Sequence, residues 1–123
     1  MKVQAVRGAI QVAENSAEAI RAAGARLTAE LLARNGVEPR RIVSLVFSLT
    51  HDLTRGSPAE AARSLGLAGV PLFCLQEAEV EGSMPRVIRA LLTFAGGRRI
   101  SPVYLDGAEA LRPDLFWAKP EQG

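Results

Sequence analysis

Eight consecutive residues, Ile42-Val43-Ser44-Leu45-Val46-Phe47-Ser48-Leu49, form an almost unbroken apolar run between Arg41 and Thr50. A run this short, rich in apolar and β-branched side chains, reads as a strand buried on both faces. A helix is expected just upstream. Asn15 and Ser16 are candidate caps, and Glu18 stands three residues after Asn15 in capping-box spacing. Ile20, Ala23/Gly24, Leu27 and Leu31 then recur on one helical face, from about Ala17 to Asn35, while Arg21, Arg26, Glu30 and Arg34 fall on the solvated face. Gly36 is a natural stop. Lys2–Val12 reads as an earlier strand, in which Gly8 signals a bulge or a close approach of another backbone. Strand, long helix, strand is the pattern of an α/β sheet.

The remaining segments are shorter. Pro39 opens a turn, and Thr50 to Gly56 is a polar loop. Ser57-Pro58-Ala59-Glu60 is a helix start, with serine as cap, proline in the first position and glutamate completing the box; this helix should end near Leu65 and Gly66. Leu72–Gln76 is an apolar strand that runs into the carboxylate of Glu77. A turn cluster at Glu81–Pro85 precedes a strand at Arg86–Phe94, and Pro102–Leu105 is a short last strand. Asp106 is placed to cap a brief helix from Gly107 to Leu111. The organisation expected is one domain over residues 1–115 and a flexible C-terminal tail over residues 116–123.

Composition removes several classes of function. With 48% hydrophobic residues in 123, the chain can bury a core and is too apolar for disorder. No run of about 18 apolar residues is present to cross a membrane. The N-terminus carries no signal-peptide pattern, and a single cysteine forms no internal disulfide, so a cytoplasmic location is the default expectation. Net charge is only +2, and the thirteen arginines are scattered rather than gathered into a basic stripe with aromatics, which argues against nucleic acid as a partner. One histidine and one cysteine make a zinc site an unpromising reading, and a His51–Cys74 dyad has no spacing in its favour. Phosphate loops, dinucleotide fingerprints and nucleophile elbows are absent from the sequence.

What is left is arginine and carboxylate. Arg89 sits inside an otherwise apolar strand, and a buried arginine requires an anionic partner. That partner is either a structural carboxylate such as Glu77 or a ligand, and the pattern leaves both open. Arg7, beside Gly8, reads from pattern alone as an exposed edge arginine. A glutamate at a strand end, with arginines such as Arg63 and Arg89 arriving from elsewhere, outlines a site for a small anion bearing a hydroxyl group.

Several fragments, taken in order, carry a family resemblance. They are Val6-Arg7-Gly8-Ala9, Pro58-Ala59-Glu60-Ala61-Ala62-Arg63, Val70-Pro71, Cys74-Leu75-Gln76-Glu77, Pro85-Arg86-Val87-Ile88-Arg89, Val103-Tyr104-Leu105 and Leu111-Arg112-Pro113-Asp114-Leu115. Together, and at near-family spacing from about residue 3 to residue 115, they resemble the monofunctional bacterial chorismate mutases of the AroH class. The resemblance implies an α/β subunit with a mixed sheet and helices packed on one side, assembled as a homotrimer with a pseudo-α/β-barrel core and active sites between subunits. It implies a reaction, chorismate to prephenate in aromatic amino acid biosynthesis, by a Claisen-type rearrangement that needs no cofactor, metal or covalent intermediate. By the same resemblance Arg89 is the cation at the breaking ether bond, and Arg7 and Tyr104 grip the enolpyruvyl carboxylate. Glu77 with Cys74 binds the ring hydroxyl, Arg63 comes from a neighbouring subunit, and Leu111 and Arg112 close in from the C-terminal segment. The sequence departs from the family pattern at Ser57, where phenylalanine is frequent, at Glu60, where lysine is common, and at Phe73, where a smaller residue is usual. The alternatives are a deaminase-type trimer holding a keto or imino acid at subunit interfaces and a non-catalytic trimer that senses a carboxylate metabolite.

Overall fold

The computed structural model describes residues 2–97 and 99–116. Apart from Phe116, the segment expected to be a tail lies outside these residues. Five strands form one mixed sheet: β1 (Val3–Gln11), β2 (Ile42–Leu49), β3 (Leu72–Gln76), β4 (Val87–Ala95) and β5 (Val103–Leu105), in the spatial order β3-β2-β4-β1-β5. The central strand β4 runs antiparallel to both neighbours, and the outer pairs β2–β3 and β1–β5 are parallel. Helix α1 (Ala17–Asn35) connects β1 to β2; α2 (Pro58–Ala62) and the single turn α3 (Pro113–Phe116) follow.

Alternation of side chains fixes which face is covered. Val6 and Ile10 of β1, Leu45 and Phe47 of β2, and Ile88, Leu92 and Phe94 of β4 form the core together with Ile20, Leu27 and Leu31 of α1. Gly8 shares this face because α1 and β5 come so close. A Cβ there would stand 3.0 Å from both Leu27 Cδ1 and the Val103 carbonyl oxygen. Of the two readings of Gly8, close approach therefore holds and the bulge does not: β1 pairs with β4 without interruption, and the irregularity falls between Ile42 and Ser44 of β2. The expectation that β2 is buried on both faces is also corrected. Leu45 and Phe47 are fully buried, but Val43 is 48% exposed at the irregularity between Ile42 and Ser44, and Val46 is half-buried because α1 and α2 cover one side of the sheet only.

Local chemistry explains the element ends. Ser16 Oγ accepts a hydrogen bond from the Ala19 amide at 3.1 Å and caps α1, and Gly36 closes it in the left-handed conformation. Asn15 does a different job. Its amide donates to Thr54 Oγ1 and its Oδ1 accepts from the Thr54 and Arg55 amides, which straps the Thr50–Gly56 loop to the helix start. Ser57 Oγ caps α2 through the Ala59 amide at 3.2 Å. The chain then widens into a π-type turn over Arg63–Leu67, two residues past the expected end, with Gly66 at φ 89°. Asp106 is not a cap: it adopts φ 53° and pairs with Arg26 of α1 at 2.5 Å, leaving Gly107 to open the 3₁₀ turn Ala108–Leu111. No helix among the described residues is long and apolar enough to cross a membrane.

Candidate active site

The face of the sheet turned away from α1 and α2 carries the polar groups. Arg7 of β1 pairs in register with Leu91 of β4, and Arg89 of β4 with both Ala9 of β1 and Ser48 of β2. Arg7 and Arg89 are thus diagonal neighbours on one face, with Cα atoms about 7–8 Å apart, within joint reach of one small ligand. Tyr104 of β5 stands opposite Ala9. The segment after β5 folds back so that Leu111 and Arg112 close one side. These residues line a cleft of about 330 Å³ whose floor includes Gly8, Phe47 and Ala90, with Val46 and Leu91 beside them. The size suits a small organic acid.

Within this cleft the guanidinium groups differ. Arg89 Nε lies 2.6 Å from Glu77 Oε1, and the Ser48 hydroxyl donates to the same oxygen at 2.9 Å. Arg112 makes two bonds to Asp114, Nε to Oδ1 at 3.1 Å and Nη2 to Oδ2 at 2.9 Å, and its guanidinium lies 6.0 Å from the centre of the Tyr104 ring. Asp114 and Tyr104 together hold Arg112 above its ordinary pKa. Arg7 is exposed and has no ion-pair or hydrogen-bond partner among the described residues. Among the described residues three guanidinium groups thus meet two carboxylates on this wall, an excess of positive charge that suits an anion.

Of the residues picked out from sequence, Arg7, Arg89, Tyr104, Leu111 and Arg112 line one cleft, and Glu77 borders it through Arg89. Glu77 also faces a second hollow of about 270 Å³, formed by Thr50–Asp52 and Ala78–Pro85. Cys74 and Arg63 are not brought in. Cys74 pairs with Phe47 in register and so shares the helix-covered face. Burial pushes its thiol above the ordinary value, with a hydrogen bond to Ser57 opposing that shift. His51 instead faces Glu79, at 3.5 Å. Arg63 is exposed where α2 passes into the π-type turn. Sequence reasoning missed Ser48, Val46 and Leu91. The signal lay in β2 itself, where Ser44, Val46 and Ser48 alternate with Leu45, Phe47 and Leu49.

The entry to β4 is held by a clamp. Thr50 Oγ1 accepts from the Val87 amide at 3.0 Å and donates to Asp52 Oδ1 at 2.6 Å; both Asp52 oxygens accept from the Arg86 amide, at 3.2 and 3.1 Å. These bonds hold Arg86 at φ 52°, a costly conformation for a residue with a side chain. Burial raises the Asp52 pKa, but the hydrogen bonds from Thr50 and the Arg86 amide outweigh it and leave the carboxyl below its ordinary 3.8. A depressed folded-state pKa contributes stability that is fully present above 3.8 and is lost as pH falls through the folded value. The melting temperature should therefore decline below about pH 4, and thermal melts of Asp52→Asn should show a shallower decline over the same range. At neutral pH, Asp52→Ala should cost about 1–2 kcal/mol through the stranded amide.

The comparisons with known proteins point to one family. The family model for chorismate mutase type I matches residues 3–115. The chain is 44% identical over 117 residues to the chorismate mutase AroH of Thermus thermophilus, covering 92% of this chain and 96% of that protein. It is 33% identical over 123 residues to the chorismate mutase AroH of Bacillus subtilis (strain 168), covering 97% of each. A solved structure, the chorismate mutase from Clostridium thermocellum, superposes with a TM-score of 0.85 at 36% identity, covering 87% of this chain and 98% of that one. The match runs the length of the chain in sequence and in fold, and it includes the strands that carry Arg7, Arg89 and Tyr104: the chain belongs to the type I chorismate mutases.

Proposed function

We propose that this protein isomerises chorismate to prephenate in the Arg7–Arg89 cleft, by fixing the substrate's conformation and stabilising the charge that develops as it rearranges. The observation that carries this reading is the placement of Arg7, which has no partner among the described residues, beside Arg89, anchored through Nε, on one sheet face of a chain matched end to end by chorismate mutases. The rearrangement is intramolecular and moves no proton, so the enzyme needs a rigid cage rather than a nucleophile. Chorismate is a dianion; Arg7, with Tyr104, holds one carboxylate and selects the compact conformer in which the reacting carbons meet. As the C–O bond breaks, negative charge gathers on the ether oxygen, and the Arg89 guanidinium stabilises that charge more than the ground state. Glu77 receives the ring hydroxyl and faces the positive charge left on the ring. Leu111 and Arg112 cover the bound substrate. The reaction places the protein in aromatic amino acid biosynthesis, and a cytoplasmic location belongs to the same proposal. Both curated relatives and the structural neighbour are chorismate mutases, and nothing observed favours the deaminase-type or non-catalytic alternative.

The working unit in this proposal is a homotrimer. The sheet face opposite α1 and α2 leaves Val3, Phe73, Leu75 and Leu91 exposed, with Phe73 at 68% and Leu75 at 53%, an apolar area that a second copy would cover. Cys74 and Arg63 lie off this face and would reach a cleft from a neighbouring copy. Two measurements test the reading. Purified protein should consume chorismate and yield prephenate, and light scattering should return the mass of three chains. Phe73→Asp should shift the mass downward and lower turnover in parallel. A folded protein that leaves chorismate untouched refutes the catalytic proposal, and an active monomer refutes the shared-site arrangement.

A further inference from the structure

Glu77 lies one residue beyond β3, and a single backbone bond, from its amide to the Leu49 carbonyl at 2.8 Å, ties it to the sheet. The exposed loop Ala78–Val80 follows directly. A glutamate on so short a tether keeps its rotamer freedom unless another side chain removes it. Arg89 restrains it through Nε, and Ser48 is the second side chain that does so. It stands directly across the β2–β4 ladder from Arg89 and across the β2–β3 ladder from Leu75. Its hydroxyl donates at 2.9 Å to Glu77 Oε1, the oxygen that also pairs with Arg89 Nε. Both contacts converge on one oxygen. Glu77 Oε2 and the two terminal nitrogens of Arg89 make no hydrogen bond among the described residues.

We propose that Ser48 is a positioning residue for the rearrangement. By saturating Oε1 together with Arg89, it presents Oε2 to the ring hydroxyl of the substrate and leaves the fork of Arg89 for the ether oxygen and a carboxylate. The proposal rests on the chorismate mutase reading and deepens it. Ser48 is half-buried on the cleft side, opposite the core, so its hydroxyl acts on the site rather than on the packing.

Steady-state kinetics on Ser48→Ala, Ser48→Thr, Glu77→Ala and the Ser48→Ala/Glu77→Ala double variant test this. Ser48→Ala should lose about tenfold in kcat/KM, mostly in kcat, with a melting temperature unchanged within about 2 °C. Ser48→Thr, which keeps the hydroxyl, should recover most of the loss. In the Glu77→Ala background the same Ser48→Ala change should cost less than about twofold, because the group it orients is gone. An active wild type whose Ser48→Ala variant keeps its activity, or loses the same factor in both backgrounds, overturns the role of Ser48 and leaves the mutase reading standing. A folded wild type without turnover overturns both.

Discussion

Replacing Arg89 by alanine should reduce kcat/KM by about 100- to 1,000-fold or more, equivalent to roughly 3–4 kcal/mol of transition-state stabilisation. This is the loss seen when one preorganised donor is removed from a site whose catalysis is electrostatic, and two features of the site place Arg89 at the upper end. Its guanidinium is already oriented by Glu77 at 2.6 Å, so no reorganisation accompanies the reaction. Its removal also strands the Glu77 carboxylate, which is only 20% exposed, beside a substrate that is itself a dianion. Lysine in this position keeps the charge but has no planar fork. It cannot hold Glu77 through one nitrogen while offering two others to the substrate, so Arg89→Lys should recover only part of the loss. Initial rates of chorismate consumption, at saturating and limiting substrate, separate the two variants. An Arg89→Ala protein that is folded by circular dichroism and retains a tenth of wild-type kcat/KM would remove Arg89 from its assigned role.

The sequence alone left open whether Arg89 meets a structural carboxylate or a ligand, and the structure shows why periodicity could not decide. The side chain meets the Glu77 carboxylate through Nε and also lines the cleft, so the structural partner is present and does not by itself exclude a ligand on the same group. Elements defined by local chemistry were legible: α1 spans Ala17–Asn35 as its caps require, and Ser57-Pro58 opens α2. Errors arose where a side chain bonds to something distant in sequence. Asn15 and Asp106 have the composition of helix caps, but Asn15 binds the loop at Thr54 and Asp106 binds Arg26, contacts that no local window contains. The reading of β2 failed for a related reason. Hydrophobicity reports that a face avoids water; it does not say whether the cover is part of the same chain. The separation of Cys74 from the cleft is a matter of parity. Three residues along an extended chain from Cys74 to Glu77 reverse the direction of the side chain, so adjacency in the motif places the two groups on opposite faces.

Gly24→Leu should cost about 3 kcal/mol of stability, because α1 and α2 touch there through backbone. A Cβ at Gly24 would stand 2.7 Å from Pro58 Cβ and 2.8 Å from Pro58 Cα, distances at which one of the two helices must move. Alanine in the same place gains up to about 1 kcal/mol of helix propensity over glycine. That gain does not offset the collision, since the atoms it meets belong to a proline in the first turn of α2 and have no rotamer to adopt. Leucine adds three further carbons to the same contact. The displacement should spread through α2 to Ser57, which caps that helix, while Arg7, Ser48 and Arg89 lie on the other face of the sheet. For a chain of this length, about 3 kcal/mol corresponds to a melting temperature lower by about 10 °C. Below the new transition turnover should fall only moderately, because Arg7, Ser48 and Arg89 stand on β1, β2 and β4, while the displaced α2 leads into Arg63, which the proposed trimer brings to a neighbouring cleft. A Gly24→Leu protein that melts with the wild type would show that the two helices have room to part, whereas one that melts early yet turns over as the wild type does would remove Arg63 and the α2 side from the shared site.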